Sequence, residues 1–305
     1  MGVTLAVLYV FLACWPMTFP PRVFYDPASF RDEIRQAQAD GKRVGLVPTM
    51  GALHQGHLSL VAESQKSCDL TVVTIFVNPT QFAPGEDFAK YPRTLEADLK
   101  LLSAFDPVWV LVPEVDAMYP PGNTTVVQAP EIAQSLEGAF RPSHFDGVAT
   151  IVLKLFQAAP ADMAFFGQKD FQQVRVIEEM VRDLIVPIEI VRCPIIREAN
   201  GLAMSSRNRY LSPEEREIAL SISRSLEEAS QQIKEGETNA QSLRDKIEQT
   251  LRDAGFREID YVSIACPRTL KSVETIEGDV VILVAAKVGS TRLIDNILVS
   301  SPVSS

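Results

Sequence analysis

The chain has 305 residues, enough for one large or two ordinary domains, and its 46% apolar and 22% charged residues are the balance of a soluble globular protein. Lys and Arg number 29 against 39 Asp and Glu, a net charge of −10. That argues against sequence-independent nucleic-acid binding, which rests on neutralising phosphates, and leaves room for a locally basic pocket holding a small anion. The four cysteines (Cys14, Cys68, Cys193 and Cys266) lie far apart with no CxxC spacing, so free thiols of a reducing compartment are expected and a disulfide framework or zinc cluster is not.

The start of the chain, Val3–Trp15, is apolar but has no Lys or Arg before it and no small-x-small cleavage pattern after it. It is also shorter than the run of about 18 apolar residues that reads as a spanning helix. Met17 follows, and patterned sequence begins near Arg22. An N-terminal extension or an early start codon is the preferred reading, ahead of a cleaved signal.

Asp26–Asp40 reads as a helix capped by Ser29 and ended by Gly41, with Phe30, Ile34 and Ala37 on one face. Val44–Val47 is a strand and Leu58–Lys66 a helix. Leu70–Val77 is almost continuously apolar or β-branched, as in a strand buried on both faces. A helix capped by Thr94 runs through Ser103, and Val108–Val112 is a third strand; Thr124–Gln128 reads as a short extra one. Gly147–Gln157 is helical, Met163–Phe166 a strand, Phe171–Leu184 a helix and Ile188–Val191 a strand. Such alternation predicts an α/β, doubly wound parallel sheet (Rossmann-like) with right-handed crossovers and its ligands at the carboxyl ends of the strands.

After Arg197 the character changes. Ser212-Pro213-Glu214-Glu215 is a capping box opening a helix with Ile218, Ile222, Leu226, Ala229 and Ile233 on one stripe. Gly236 breaks it, a second helix carries Leu243, Ile247, Leu251 and Ala254 to Gly255, and strands follow at Ile259–Ala265 and Val280–Ala286. The expected organisation is an extension over 1–21, a Rossmann-like domain over 22–196 and a smaller α+β lid domain over 197–305.

Val44–His57, V-G-L-V-P-T-M-G-A-L-H-Q-G-H, is the strongest local signal, and it holds two of the chain's three histidines. Gly51 and Gly56 have P-loop spacing, but His57-Leu58 stands where Lys-Ser/Thr is required, and GxGxxG is absent. What remains is a strand–glycine turn–helix layout with imidazoles at i, i+3, able to donate to phosphate at a helix N-terminus. The plain alternative is a pair of helix-capping surface histidines. Gln81, in the loop after the second strand, can donate to and accept from a hydroxyl or carboxylate. Arg141-Pro142-Ser143-His144-Phe145 offers a cation or a surface loop. Gly167-Gln168-Lys169-Asp170 is another strand-to-helix turn with a phosphate-suited lysine, followed by Gln173. Met204-Ser205-Ser206-Arg207-Asn208, flanked by Arg197 and Arg209, suits a triphosphate clamp or a polar linker. Neither a Ser-His-Asp set, a reactive cysteine nor paired carboxylates point to covalent enzyme catalysis.

Seven collinear stretches, Val47–His57 (VPTMGALHQGH), Phe76–Phe82 (FVNPTQF), Tyr91–Thr94 (YPRT), Arg141–Val148 (RPSHFDGV), Phe166–Asp170 (FGQKD), Met204–Leu211 (MSSRNRYL) and Thr291–Asn296 (TRLIDN), resemble the pantothenate synthetases (pantoate–β-alanine ligases) of the HIGH-motif nucleotidyltransferase superfamily. The resemblance runs from about Arg22 to Val299, and HQGH stands at the HIGH signature. It implies ATP-dependent condensation of (R)-pantoate with β-alanine through a pantoyl adenylate, releasing pyrophosphate and then AMP. It also implies a cytoplasmic homodimer that binds small molecules and neither nucleic acid nor membrane.

By the same resemblance ATP is held by Met50, Gly51, Ala52, Leu53, His54, Gln55, Gly56 and His57, by Gly167, Gln168, Lys169 and Asp170, by the backbone of Ile196, and by Met204, Ser205, Ser206 and Arg207. His54, His57, Lys169 and Arg207 are the expected catalytic set, Gln81 and Gln173 the pantoate residues, and Gln81 also adjoins β-alanine. Mg²⁺ is expected chiefly on ATP oxygens, with Asp98 the matching protein carboxylate. Ser143 departs from the family pattern, which has glycine there. The competing readings are a nucleotidyltransferase of the same superfamily acting on a phosphorylated substrate, against which the uncharged Gln81 and Gln173 argue, and a catalytically silent ATP-binding homologue.

Overall fold

The computed structural model describes residues 20–83 and 85–300; the expectations for Val3–Trp15, Met17 and Cys14 lie outside them. Six strands, β1 (Arg22–Phe24), β2 (Val44–Thr49), β3 (Leu70–Ile75), β4 (Val108–Leu111), β5 (Met163–Gly167) and β6 (Glu189–Cys193), form one sheet in the order β1-β4-β3-β2-β5-β6. Every neighbouring pair is parallel, with Val44 opposite Leu70 and Gly45 opposite Met163. The chain builds outward from β2 on one side, then returns to add β5 and β6 on the other. The switch point, and with it the crevice for a ligand, therefore lies at the carboxyl ends of β2 and β5.

The strands are apolar in unbroken runs because both faces are covered. Leu46, Val72 and Phe166 point into one core with Phe30 and Ile34 of α1 (Pro27–Ala39), Phe145 and Val152 of the helix His144–Ala158, and Ile177 of the helix Phe171–Asp183. Their chain neighbours Val47, Val73 and Phe165 point the other way, toward Val61 of α2 (Gln55–Ser67) and Leu102 of α3 (Leu95–Leu102). Between β4 and His144 lie two single-turn helices, α4 (Val115–Met118) and α5 (Glu137–Phe140), so His144–Ala158 is α6 and Phe171–Asp183 is α7.

The second unit is a three-stranded antiparallel sheet, β7 (Glu258–Ala265), β8 (Val280–Val288) and β9 (Thr291–Val299), backed by α8 (Pro213–Lys234) and α9 (Ala240–Ala254). The Ser212–Glu215 capping box is formed as expected, and Gly255 ends α9 in the left-handed region. Ile282 and Val284 of β8 pack with Leu226 of α8 and Leu251 of α9. Val281 and Leu283, on the opposite face, enter the core of the first sheet. The small sheet is thus a wall shared by two cores.

Three local expectations are corrected and two strands are added. Asp26, not Ser29, caps α1, accepting the Ser29 N–H at 2.8 Å. Thr94 makes no capping bond, and its hydroxyl turns to Asp98 instead, at 3.2 Å. Thr124–Gln128 is not a strand: it pairs with no strand among the described residues, and the amides of Val127 and Ala129 bond to Thr150 and Asp146 of α6. Two strands escaped the pattern. β1 is only three residues long, and β9 carries Arg292, Asp295 and Asn296, polar residues that spoil an apolar reading yet find Glu137, Arg197 and the Gln168 carbonyl in the fold.

Candidate active site

The turn after β2 begins with Gly51 at φ +78° and Ala52 at φ +51°, so two successive residues lie in the left-handed region. For alanine that conformation costs on the order of 1–2 kcal/mol and persists only if surroundings impose it. Asp98 of α3 imposes it. The carboxylate is 1% exposed, and its two oxygens accept the amides of Ala52 and Leu53 at 2.9 and 2.8 Å and the Thr94 hydroxyl.

The chain then enters α2 through a capping box made of two histidines. His54 Nδ1 accepts the Gly56 amide at 3.1 Å, and His57 Nδ1 accepts the His54 amide at 3.3 Å. Sequence reasoning weighed capping against phosphate binding, but the two are compatible. Accepting at Nδ1 leaves the proton on Nε2 of each ring, so both imidazoles keep a free N–H donor. Burial pushes the pKa of His54 down to about 4, with Lys169 and Arg209 adding to the effect. Burial, then the neighbouring His54, pushes His57 to about 3. Both are neutral donors at physiological pH.

The turn after β5 is pinned from the second sheet: Asn296 Nδ2 donates to the carbonyls of Gln168 and Lys169 at 3.0 and 2.9 Å. Lys169 Nζ lies 3.7 Å from Asp170. Met204–Arg207 hangs over the crevice. Met204 N–H donates to the carbonyl of Ile196 at 2.9 Å, so a backbone contact from Ile196 to a base would use its amide. Ser206 donates to the carbonyl of Ala52, and Arg207 forks onto Asp87 at 3.0 Å by two nitrogens. Gln81 sits in the 3-10 turn Pro79–Gln81 after β3. Asn78 holds the Gln81 Oε1 at 3.2 Å, and among the described residues the Gln81 amide nitrogen faces only the weak acceptor Met50 Sδ.

These elements enclose a cavity of about 240 Å³ lined by Met50, His54, Gly56, His57, Gln81, Gly167, Lys169, Asp170, Gln173, Ile196 and Met204–Arg207. It shares Arg141, His144, Lys169, Asp170, Gln173, Ser205 and Arg207 with a larger cleft of about 1060 Å³ between the two sheets. Gly51, Ala52, Leu53, Gln55 and Gln168 of the expected nucleotide set do not line the smaller cavity; they shape its turns. Asp98, the carboxylate expected at the metal, is buried at the turn, where it holds the amides of Ala52 and Leu53, and it lines neither cavity. Among the described residues no group of three His, Cys, Asp or Glu is placed to hold a metal ion.

Sequence reasoning missed Asp87, Asn296 and Glu137. Asn296 and Asp295 stood inside a recognised stretch, TRLIDN, and are buried at 2% and 5% exposure. Asp295 accepts Arg197 at 2.6 Å, tying the segment before Met204 to β9. A polar run inside a strand-length segment was the available signal.

A doubly wound sheet with donor-lined turns at its switch point defines a nucleotide-handling α/β enzyme whose second unit lines the larger cleft. The family model for pantoate–β-alanine ligase matches residues 22–298. The chain is 49% identical over 271 residues to the pantothenate synthetase of Thermoanaerobacter pseudethanolicus, covering 89% of this chain and 96% of the relative. It is 51% identical over 278 residues to that of Acetivibrio thermocellus, covering 91% and 99%. Among solved structures, a pantothenate synthetase from Thermus thermophilus superposes with a TM-score of 0.86 at 40% identity, covering 90% of this chain and 98% of that one. The pantoate–β-alanine ligase of Francisella tularensis, complexed with β-γ ATP and β-alanine, gives 0.75 at 35% identity, covering 91% and 97%. This chain belongs to the pantoate–β-alanine ligase family.

Proposed function

We infer that this chain joins pantoate to β-alanine at the expense of ATP, through a pantoyl adenylate. The observation that carries the residue roles is the convergence of His54, His57, Lys169, Arg207, Gln81 and Gln173 on one cavity at the sheet's switch point. A pantoate carboxylate oxygen attacks the α-phosphorus of ATP; the new O–P bond forms as the bond to the β-phosphate oxygen breaks, and pyrophosphate leaves. The carboxylate needs no base. It needs alignment and donors aimed at the charge on the transferring group.

The Nε2–H groups of His54 and His57 supply neutral donors at the N-terminus of α2, and Lys169 and Arg207 supply cations. Gln81 and Gln173 hold the pantoate hydroxyls and carboxylate. In the second step the β-alanine nitrogen, as the free amine after losing one proton to solvent, attacks the acyl carbon beside Gln81; the C–N bond forms as the acyl C–O bond to the phosphate breaks, AMP departs, and the second proton on nitrogen passes to solvent. Mg²⁺ enters on the oxygens of ATP in this reading, since Asp98 is buried and does not line the cavity.

The division into 22–196 for ATP and pantoate and 197–305 as a lid is supported by the separate sheets and by the Met204–Arg207 segment lying over the cavity. Family resemblance supports a cytoplasmic homodimer; among the described residues no helix is long and apolar enough to cross a membrane. Incubation with ATP, pantoate and β-alanine is expected to give AMP and pyrophosphate with an absolute need for pantoate. Pyrophosphate release on a phosphorylated co-substrate without pantoate would sink the reading. Gln81→Ala is expected to raise the pantoate KM far more than the ATP KM; equal effects would refute its role.

A further inference from the structure

Glu137 opens the single-turn helix α5, outside the residues the reaction uses, and is 7% exposed. Arg292 of β9, in the other sheet, forks onto it with Nη1 to Oε2 at 2.6 Å and Nη2 to Oε1 at 2.8 Å. Arg292 Nε donates to Asp260 of β7 at 2.6 Å, and the Tyr261 hydroxyl donates to Glu137 at 2.7 Å. Burial works against charge on Glu137, yet the Arg292 guanidinium holds its carboxyl below the ordinary value, so the pair is ionic. A buried ion pair is a poor source of net stability, because desolvation offsets its attraction. Its worth here lies in what it aligns.

Two paths lead from Glu137 to the two glutamines. Along the first, Glu137 lies 3.9 Å from Arg141, which contacts His144 Nε2 at 3.1 Å. Both then donate to the main-chain carbonyl of Gln81, Arg141 at 3.4 Å and His144 Nδ1 at 2.7 Å. Gly147 lets α6 press against the same turn: a Cβ there would lie 2.4 Å from the Thr80 carbonyl oxygen and 2.9 Å from Gln81 Cα. Along the second path, the Glu137 amide donates to Gln172 Oε1 at 3.0 Å, and Gln172 directly precedes Gln173.

We propose that Glu137 and Arg292 are positioning residues for the acid substrate, coupling the β7–β9 sheet to Gln81 and Gln173 so that both amides are set only when the second unit is seated. The proposal rests on the assignment of those glutamines to pantoate. A displacement of Gln81 by a fraction of an ångström weakens the acid's hold and leaves the histidine turn, which Asp98 anchors separately, in place.

Glu137→Gln and Arg292→Lys keep size and remove the fork. Each is expected to raise the KM for pantoate on the order of tenfold while the KM for ATP moves less than about twofold. Equal rises for both substrates, or no rise for pantoate, overturn the proposal. Hydrogen exchange on the unaltered protein covers the case of variants that fail to fold. Saturating pantoate is expected to slow exchange in 79–82, 137–144 and 291–293 together; protection confined to 79–82 overturns it. Gln81→Ala is run alongside, and its failure to move the pantoate KM would strike the underlying assignment instead.

Discussion

The turn Met50–His57 and the loop Arg141–His144 use the same parts to different ends. Each carries a residue other than glycine in the left-handed region, Ala52 at φ +51° and Ser143 at φ +65°, and each carries histidine with suppressed basicity. Burial first, then Arg141, pushes His144 down to about 4. The difference is in the nitrogens. His54 and His57 accept backbone amides at Nδ1 and keep Nε2–H free, whereas His144 donates from Nδ1 to Gln81 and accepts from Arg141 at Nε2. His144 has no atom left for a ligand. A low pKa marks all three histidines; the unoccupied donor separates the two that can meet a phosphate from the one that props a neighbour.

The largest expected effect tests the anchor of the first turn. Asp98→Ala leaves the buried amides of Ala52 and Leu53 unpaired and should cost about 3 kcal/mol in stability by denaturant unfolding, with adenylate formation lost. An active, stable variant would show that the turn holds its strained shape unaided. His57→Ala comes next. Pantoate-dependent exchange of pyrophosphate into ATP should fall by about 10²–10³, the loss typical of one transition-state donor, for about 1 kcal/mol of stability from the missing cap. A fold loss several times larger with residual chemistry intact would place His57 beside His144 as a structural group.

The pH dependence sharpens the contrast without mutation. Because His54 and His57 stay neutral down to about 4 and 3, the exchange rate should show no histidine limb near pH 6.5. Stability behaves differently. The unfolded chain binds protons on these histidines below about pH 6.5 and the folded chain does not, so stability should fall as pH drops from there toward 4. A melting temperature that rises on acidification through that window would contradict neutral, buried rings. The smallest effect belongs to the second loop: Ser143→Gly removes left-handed strain and should add up to about 1 kcal/mol, with the pantoate KM little changed.

Much of the fold was legible in the sequence. Unbroken apolar runs such as Leu70–Ile75 announce strands covered on both faces, and the Ser212–Glu215 box and Gly255 mark helix ends by local chemistry. The turns proposed for the nucleotide leave a local trace as well, in the glycines, histidines and strand ends at Val44–His57 and Phe166–Asp170. Local signals fail where a polar residue's partner is distant in the chain. Asp98 looked like a metal carboxylate until its amides, 45 and 46 residues away, were seen. β9 looked unlike a strand because Arg292, Asp295 and Asn296 find Glu137, Arg197 and the Gln168 carbonyl only across the fold.

Local sequence was enough for the strand–helix alternation, for the change of character after Arg197, and for the glycine and histidine turns proposed to meet a nucleotide. Those follow from periodicity and capping, which act over a few residues. Only the tertiary structure decided which nitrogen of each histidine is free, which carboxylate is an anchor, and how Glu137 ties the second sheet to Gln81. Each of these depends on burial and on hydrogen-bond partners brought together by packing, and neither is encoded within one turn of the chain.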